Sequence, residues 1–423
     1  MTPVPLLLLQ LVVILGVARL LALALQRIGQ PPVIGEMLAG ILLGPILFGA
    51  VAPTAQAWLF APESLAALEG LSQIGLVLFM FVVGAELRLP DGARRHLTAA
   101  SLTGLLSVLL PFALGLAISP LLHGSFAPEG VAFWPFALFM AASMAITAFP
   151  IMARILKERG MTESAVGRLS LTSAALADVL AWIVLAFVVA MISSSTGWSG
   201  FAITLVGTLA MAVFAFSVLR PLLARALDRH GVEGRPSAGL LAVLLIGVFA
   251  SAAITDALGL HAVFGAFVFG AALPRDNRLL ACLVERIEPV AVLVLMPVFF
   301  ALAGLHTTPD ALGGTGVFAL ALILAAAVLG KVLGGAAGAR VAGFNWRESF
   351  AVGSLMNARA LMELIVMKVG LDIGVIGEEI FTMLMIMAIV TTLMTTPLLS
   401  LFTNRKTGGA ISMDAATTLR NPQ

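Results

Sequence analysis

Hydrophobic stretches long enough to cross the roughly 30 Å hydrocarbon layer of a bilayer recur along this chain from one end to the other. Their spacing predicts thirteen spans, at residues 4–26, 32–50, 66–87, 98–122, 133–156, 166–193, 199–219, 237–254, 258–273, 284–304, 314–339, 348–369 and 377–402. Short clusters of Pro, Gly or charge separate them. Backbone polar groups inside lipid must be satisfied within the chain, so spans of this length are helices. The expected fold class is an all-α membrane protein with about 13 transmembrane helices. Of the 423 residues, 60% are hydrophobic and 11% charged, against about a quarter charged in a soluble domain, which excludes a water-soluble protein. The first segment has no basic residue ahead of it and no convincing cleavage site, so it reads as a retained helix rather than a removed signal. The single cysteine, Cys282, cannot form an internal disulfide and reads as structural.

The net charge of +2 matters less than where the charges lie. Loops after odd-numbered spans hold Arg27; Arg88, Arg94 and Arg95; Arg154, Lys157, Arg159 and Arg168; Arg220, Arg225, Arg229 and Arg235; Arg275, Arg278 and Arg286; and Arg340 and Arg347. With Arg405, Lys406 and Arg420 in the tail these make 20 of the 24 Lys and Arg residues. Loops after even-numbered spans hold none. Because Lys and Arg are retained on the cytoplasmic side, the N-terminus is expected outside and the C-terminus inside. The alternation also supports the helix count, since one missed helix would invert the pattern beyond it. A transmembrane domain at residues 1–403 and a short cytoplasmic tail at 404–423 follow. No G-x-G-x-x-G fingerprint occurs, so neither a nucleotide-binding domain nor a nucleic-acid partner is expected.

Charges within the spans carry the functional signal, because a charge near the bilayer centre costs a few kcal/mol or more. Asp178 lies about midway along the sixth span, with Ala174 and Ala175 one turn earlier on its face. Small neighbours leave room for an ion or for close helix packing. A dry site disfavours a bare carboxylate, so a proton and a cation would compete for it; the plainer reading is a structural carboxylate paired with a helix or a Lys. Lys331 lies in the eleventh span among Gly330, Gly334, Gly335 and Gly338. It either snorkels to the cytoplasmic surface or is a buried ammonium near Asp178, and the small-xxx-small flanks favour burial.

Two spans read as interrupted. In the fifth, Pro150 removes a backbone donor just after Thr147, whose hydroxyl and freed carbonyl could serve an ion. In the twelfth, Asn357, Ala358 and Arg359 form a polar run mid-span, with Glu363 four residues after Arg359, which on its own could be a simple ion pair. Broken helices in two halves point to a midplane site in an inverted-repeat transporter. With the first helix as an extra, the breaks fall at the fourth span of one six-helix set and the fifth of the other.

The stretches PPVIGEMLAGILLGP, LVLFMFVVGAELRL, SMAITAFPIMARILKE, GRLSLTSAALADVLAW, ALGLHAVFGAFVFGAALP, LGKVLGG and LMNARALMELIVMKVGLDIGVI resemble, in order, the monovalent cation:proton antiporter family 2, especially the plant cation/proton exchangers and their bacterial relatives. The resemblance implies an inverted-repeat antiporter fold with two broken crossing helices, the fifth and twelfth, in a core that slides against a dimerisation domain. It places Asp178 on the ion- and proton-carrying aspartate, Lys331 on the lysine of electrogenic members, Thr147 on the threonine of the unwound segment and Asn357 on the polar residue of the other crossover. Ser173 is counted in the same ion-binding set, with Asp178 and Thr147 as the cation ligands. Arg359, Glu363 and Glu86 are expected to support or gate the site. One departure is Ala177, where the family typically has Asp, Asn or Gln, so Lys331 lacks its usual ion-pair partner. Glu86 reads as a cytoplasmic packing or gating residue and His261 as a helix-terminal structural histidine.

The expected function is proton exchange for Na⁺ or K⁺ by alternating access at Asp178, electroneutral in the absence of a second carboxylate, in a multi-pass homodimer of the bacterial inner membrane. No catalytic residue and no cofactor beyond the transported Na⁺ or K⁺ and H⁺ is expected; the partners are those ions and membrane lipid. The alternatives are a same-fold exporter of an organic ion, for which Ala177 would widen the site, or a cation-conducting channel or sensor. An intramembrane protease lacks its catalytic pair or zinc motif.

Overall fold

The computed structural model describes residues 3–86, 97–193, 198–232, 235–258, 261–274, 281–282, 285–359 and 361–403. Arg88, Arg94, Arg95, Arg275, Arg278 and the expected tail at 404–423 lie outside the described residues. Helices dominate: α1 Pro3–Arg27, α2 Pro32–Gly49, α3 Pro53–Leu59, α4 Pro62–Glu86, α5 Leu97–Phe126, α6 Phe133–Ala145, α7 Phe149–Glu158, α8 Ala165–Ser193, α9 Trp198–Phe214, α10 Arg220–His230, α11 Ala238–Ala257, α12 Ala262–Ala271, α13 Glu288–Leu305, α14 Gly316–Val341, α15 Trp346–Met356, α16 Leu361–Asp372 and α17 Glu378–Phe402. Among the described residues, the strand structure is a two-residue antiparallel pairing of Gly231–Val232 with Arg235–Pro236, in the hydrophilic link between α10 and α11.

Nine helices among the described residues are long and apolar enough to cross a membrane. The expected count of thirteen is reached only by adding segments that are not continuous spans of that length. The fifth and twelfth spans are split into α6 and α7 and into α15 and α16, and α12 runs for only 10 residues. α9 covers 17 residues before a π-helical turn carries it into α10. Composition marks a stretch as apolar, whereas Pro, Gly and tertiary partners decide whether its helix is unbroken.

The helices form two groups. In the first, called the panel, α1 packs on α2, α2 on α13, α13 on α4, α4 on α12 and α12 on α11. In the second, called the core, α5 and α14 form the central pair, surrounded by α6, α8, α15, α16 and α17. Apolar side chains gain little by leaving lipid for protein, so membrane helices associate through close backbone approach. Glycines make that approach possible: a Cβ at Gly330 would lie 2.6 Å from Pro111 Cα and one at Gly334 2.5 Å from the Leu106 carbonyl oxygen, both on α5, and Gly338 abuts Thr103 one turn further on. This 4-residue stripe is the small-xxx-small pattern seen in the sequence. In the panel, Gly40 and Gly304 bring α2 against α13, and Gly84 and Gly270 bring α4 against α12.

The core contains two three-span segments, α5–α6/α7–α8 and α14–α15/α16–α17, each broken in its middle span.

Candidate functional site

α6 ends at Ala145, and Ile146 to Ala148 run on in non-helical backbone, with ψ of 145° at Ile146 and 88° at Ala148. Pro150 then falls at the start of α7, where its missing N–H would have had no helical partner anyway. The second break has no proline. α15 stops at Met356, Asn357 and Ala358 turn aside, and α17 takes over their partners: Asn357 Nδ2 donates to the Thr391 carbonyl at 3.1 Å and the Arg359 backbone N–H to Thr392 Oγ1 at 3.1 Å. The two breaks meet, because the Ala148 N–H donates to the Ala358 carbonyl at 3.0 Å. The crossing of two broken helices expected from the sequence is thus present.

Each break leaves unpaired backbone groups at a helix end, with partial negative charge at the C-terminus and positive at the N-terminus. Two cations cover the end of α6. Lys331 Nζ, from α14, donates to the Ala145 carbonyl at 2.5 Å, and the Arg359 guanidinium donates to the carbonyls of Ser143 at 3.3 Å and Met144 at 2.6 Å. Arg359 Nη1 also reaches Glu363 Oε1 at 3.0 Å, one turn on. At the opposite polarity, the backbone N–H of Phe149, opening α7, interacts with the Asp178 carboxylate on α8. Lys331, Arg359, Glu363, Asn357 and Thr147 are at most 1% exposed and Asp178 is 3% exposed. Two basic and two acidic side chains are therefore sealed around the crossover, interacting electrostatically through Lys331.

Lys331 is buried as the glycine flanks suggest, yet its hydrogen bonds go to Ala145 and to Thr147 Oγ1, the latter at 2.7 Å, and not to Asp178. Asp178 Oδ1 has no hydrogen-bond partner although it is buried, and neither has Glu363 Oε2. Asp178 and Thr147 share a cavity of about 10 Å³, room for about one water-sized particle, whose other walls are Ile146, Ala181, Trp182, Leu185, Met362 and Val366. Leaving a buried carboxylate oxygen unpaired is expensive, so this atom marks a place for a proton or a cation.

The remaining expected residues lie outside the cavity wall. Ser173 is buried with an unpaired hydroxyl, but five residues before Asp178 on α8 it is not part of the cavity wall. Ala177 packs in a small apolar cluster with Val108 and Ala145, beside the carbonyl held by Lys331. Glu86 ends α4 and has Glu288 as its electrostatic neighbour, remote from the crossover. Glu36 of α2 has Arg154 and Arg19 as its electrostatic neighbours. His261 caps α12, its ring accepting from the Val263 N–H. The sequence reading missed Trp182, Thr391 and Thr392. Trp182 stands four residues after Asp178 and so on the same helix face, a spacing that could have flagged it; the threonines form an unexplained polar run within an apolar span.

A helical membrane bundle with two broken helices crossed over a buried carboxylate defines the class of secondary transporters. The sodium/hydrogen exchanger transmembrane family matches residues 12–403, and the chain belongs to that family. It is 41% identical over 395 residues to the Na(+)/H(+) antiporter NhaS4 of Synechocystis, covering 93% of this chain and 96% of that one. It is 36% identical over 396 residues to cation/H(+) antiporter 17 of Arabidopsis thaliana and 34% over 410 residues to K(+)/H(+) antiporter 1 of Saccharomyces cerevisiae. The chain spans about half the length of these two eukaryotic relatives, 48% and 46%. Its fold resembles that of the sodium proton antiporter MjNhaP1 of Methanocaldococcus jannaschii, with a TM-score of 0.57, 16% identity and coverage of 93% of this chain and 98% of that one.

Proposed function

We propose that this multi-pass membrane protein exchanges protons for Na⁺ or K⁺ by alternating access, with Asp178 as the carboxylate the two ions share. The observation that carries the reading is the unpaired Asp178 oxygen in a cavity large enough for one small particle, with Thr147 beside it. A proton or a dehydrated cation can neutralise that carboxylate, but the space does not take both. When the core faces one side, Asp178 releases a proton and takes a cation, with Thr147 as a further oxygen ligand. After the core moves against the panel, the exchange reverses. Competition for one site couples the two fluxes, so no nucleotide is consumed.

Lys331 holds the Thr147 hydroxyl and the end of α6, so it shapes the ligand set. Arg359, Glu363 and Asn357 keep the crossover together, and Glu86 acts at the cytoplasmic end. Ser173, with its unpaired buried hydroxyl, is a ligand for another position of the core. Because Ala177 supplies no second carboxylate, each cycle moves one proton against one cation without net charge. The chain lies in the cell membrane with its N-terminus outside and the 404–423 tail in the cytoplasm. Exposed apolar residues such as Val12, Leu20 and Val213 contact lipid, and two copies form a homodimer.

Purified protein in proteoliposomes, loaded with a pH-sensitive dye, tests this directly. Pulses of Na⁺ or K⁺ should move protons in the wild type and not in Asp178→Asn. Normal exchange by Asp178→Asn would refute the role of Asp178, and a potential-sensitive dye responding to cation pulses would refute electroneutral exchange.

A further inference from the structure

One wall of the Asp178 cavity is held from outside the core. Trp182 rises from α8, one turn beyond Asp178, but its ring packs on two panel side chains. It stacks on Phe267 with ring centres 5.5 Å apart and an interplanar angle of 27°, and meets Phe264 edge-on at 5.3 Å and 86°. Such aromatic pairs prefer offset-stacked or edge-to-face geometries.

Those phenylalanines cannot easily follow the core. They lie on α12, which is set against α4 so closely that a Cβ on Gly84 would clash with the Phe267 carbonyl and one on Gly270 with the Phe81 carbonyl. The Phe81 and Phe269 rings add a contact at 5.9 Å. The panel therefore fixes the position of the Trp182 ring, and the ring fixes one wall of a cavity with room for about one water-sized particle. The neighbouring apolar walls are aliphatic or small: Ile146, Ala181, Leu185, Met362 and Val366.

We propose that Trp182, pinned by Phe264 and Phe267, is a specificity-determining residue: its ring sets the largest cation that can sit beside Asp178, and the panel holds that limit in place. The inference rests on Asp178 being the exchange site. It implies that size selection is imposed while the core rests against α12 and is released when the core moves and the rings part. Trp182 is a wall and positioning residue, since the oxygens that bind the ion come from elsewhere.

The test is the series of half-saturating concentrations for Na⁺, K⁺, Rb⁺ and Cs⁺ in the proteoliposome exchange assay. Trp182→Ala should enlarge the cavity and improve the largest cation relative to the smallest by about tenfold, the scale on which one methylene group matters in a pocket. Phe267→Leu, which leaves α8 untouched, should shift the series in the same direction, and Trp182→Phe, with its smaller ring, should shift it in that direction by less than Trp182→Ala. A uniform fall in rate with unchanged ratios in Trp182→Ala and Phe267→Leu would overturn the proposal. A shift in Trp182→Ala without one in Phe267→Leu would overturn the part given to the panel. If Trp182→Ala does not fold, the ratios in Phe267→Leu decide. Wild-type vesicles that exchange no cation at all would instead refute the proposed function.

Discussion

Replacing Lys331 by Met keeps most of the side-chain length and volume while removing its ammonium. Two acceptors lose their donor: the Ala145 carbonyl at 2.5 Å and Thr147 Oγ1 at 2.7 Å. The hydroxyl can rotate and donate elsewhere, but the carbonyl at the end of α6 cannot, and an unsatisfied buried acceptor costs about 1–3 kcal/mol. Loss of a cation from a helix C-terminus adds about 0.5–2 kcal/mol, while relief from burying an ammonium offsets part of both. Arg359 still covers Ser143 and Met144. A net loss of about 2–3 kcal/mol follows, and at about 2 °C per kcal/mol for a large chain the melting temperature should fall by about 5 °C. Thermal unfolding of the detergent-solubilised protein measures it. The variant also frees Thr147, so its melting temperature should rise with added Na⁺ or K⁺ more steeply than that of the wild type, since a ligand at 100 times its Kd stabilises by about 2.7 kcal/mol. A variant that melts like the wild type and ignores added cations would refute the capping role of Lys331.

Gly334→Val should prevent stable assembly, because its Cβ would sit 2.5 Å from the Leu106 carbonyl oxygen, whereas Gly124→Ala, with open space at that position, should be tolerated; size-exclusion profiles in detergent separate the two. Arg359→Met should destabilise by about 3–5 kcal/mol, and more than Glu363→Gln, since Arg359 also holds two α6 carbonyls and Glu363 does not. Equal losses in the two variants would contradict the geometry. Burial, reinforced by Lys368, holds the His306 imidazole below its usual 6.5, against the pull of Glu378 at 3.7 Å. The unfolded chain therefore takes up this proton first, so the contribution of His306 is present above about pH 6.5 and lost as the pH falls below it. His306→Gln should lose less melting temperature than the wild type between neutral and mildly acidic pH, and an identical loss would refute the assignment.

The sequence alone determined what a single helix can reveal. Apolar length marks the membrane character, and Pro150 beside Thr147 and the Asn357–Arg359 run mark both breaks, because a missing donor or a polar run in an apolar span has a local cost. Asp178, Lys331, Arg359 and Glu363 stood out for the same reason, as charges where lipid would otherwise be. The partners were not legible. That Lys331 caps α6 and holds Thr147 instead of pairing with Asp178, that Thr391 and Thr392 close the second break, and that Trp182 is pinned by α12 all depend on which helices meet, across 184 residues of chain in the first case, some thirty in the second and about eighty in the third. In a membrane, burial in protein and burial in lipid leave the same apolar signature in sequence, so hydropathy marks which stretches are apolar but not their neighbours, and backbone contacts at glycines such as Gly334 and Gly84 decide the packing.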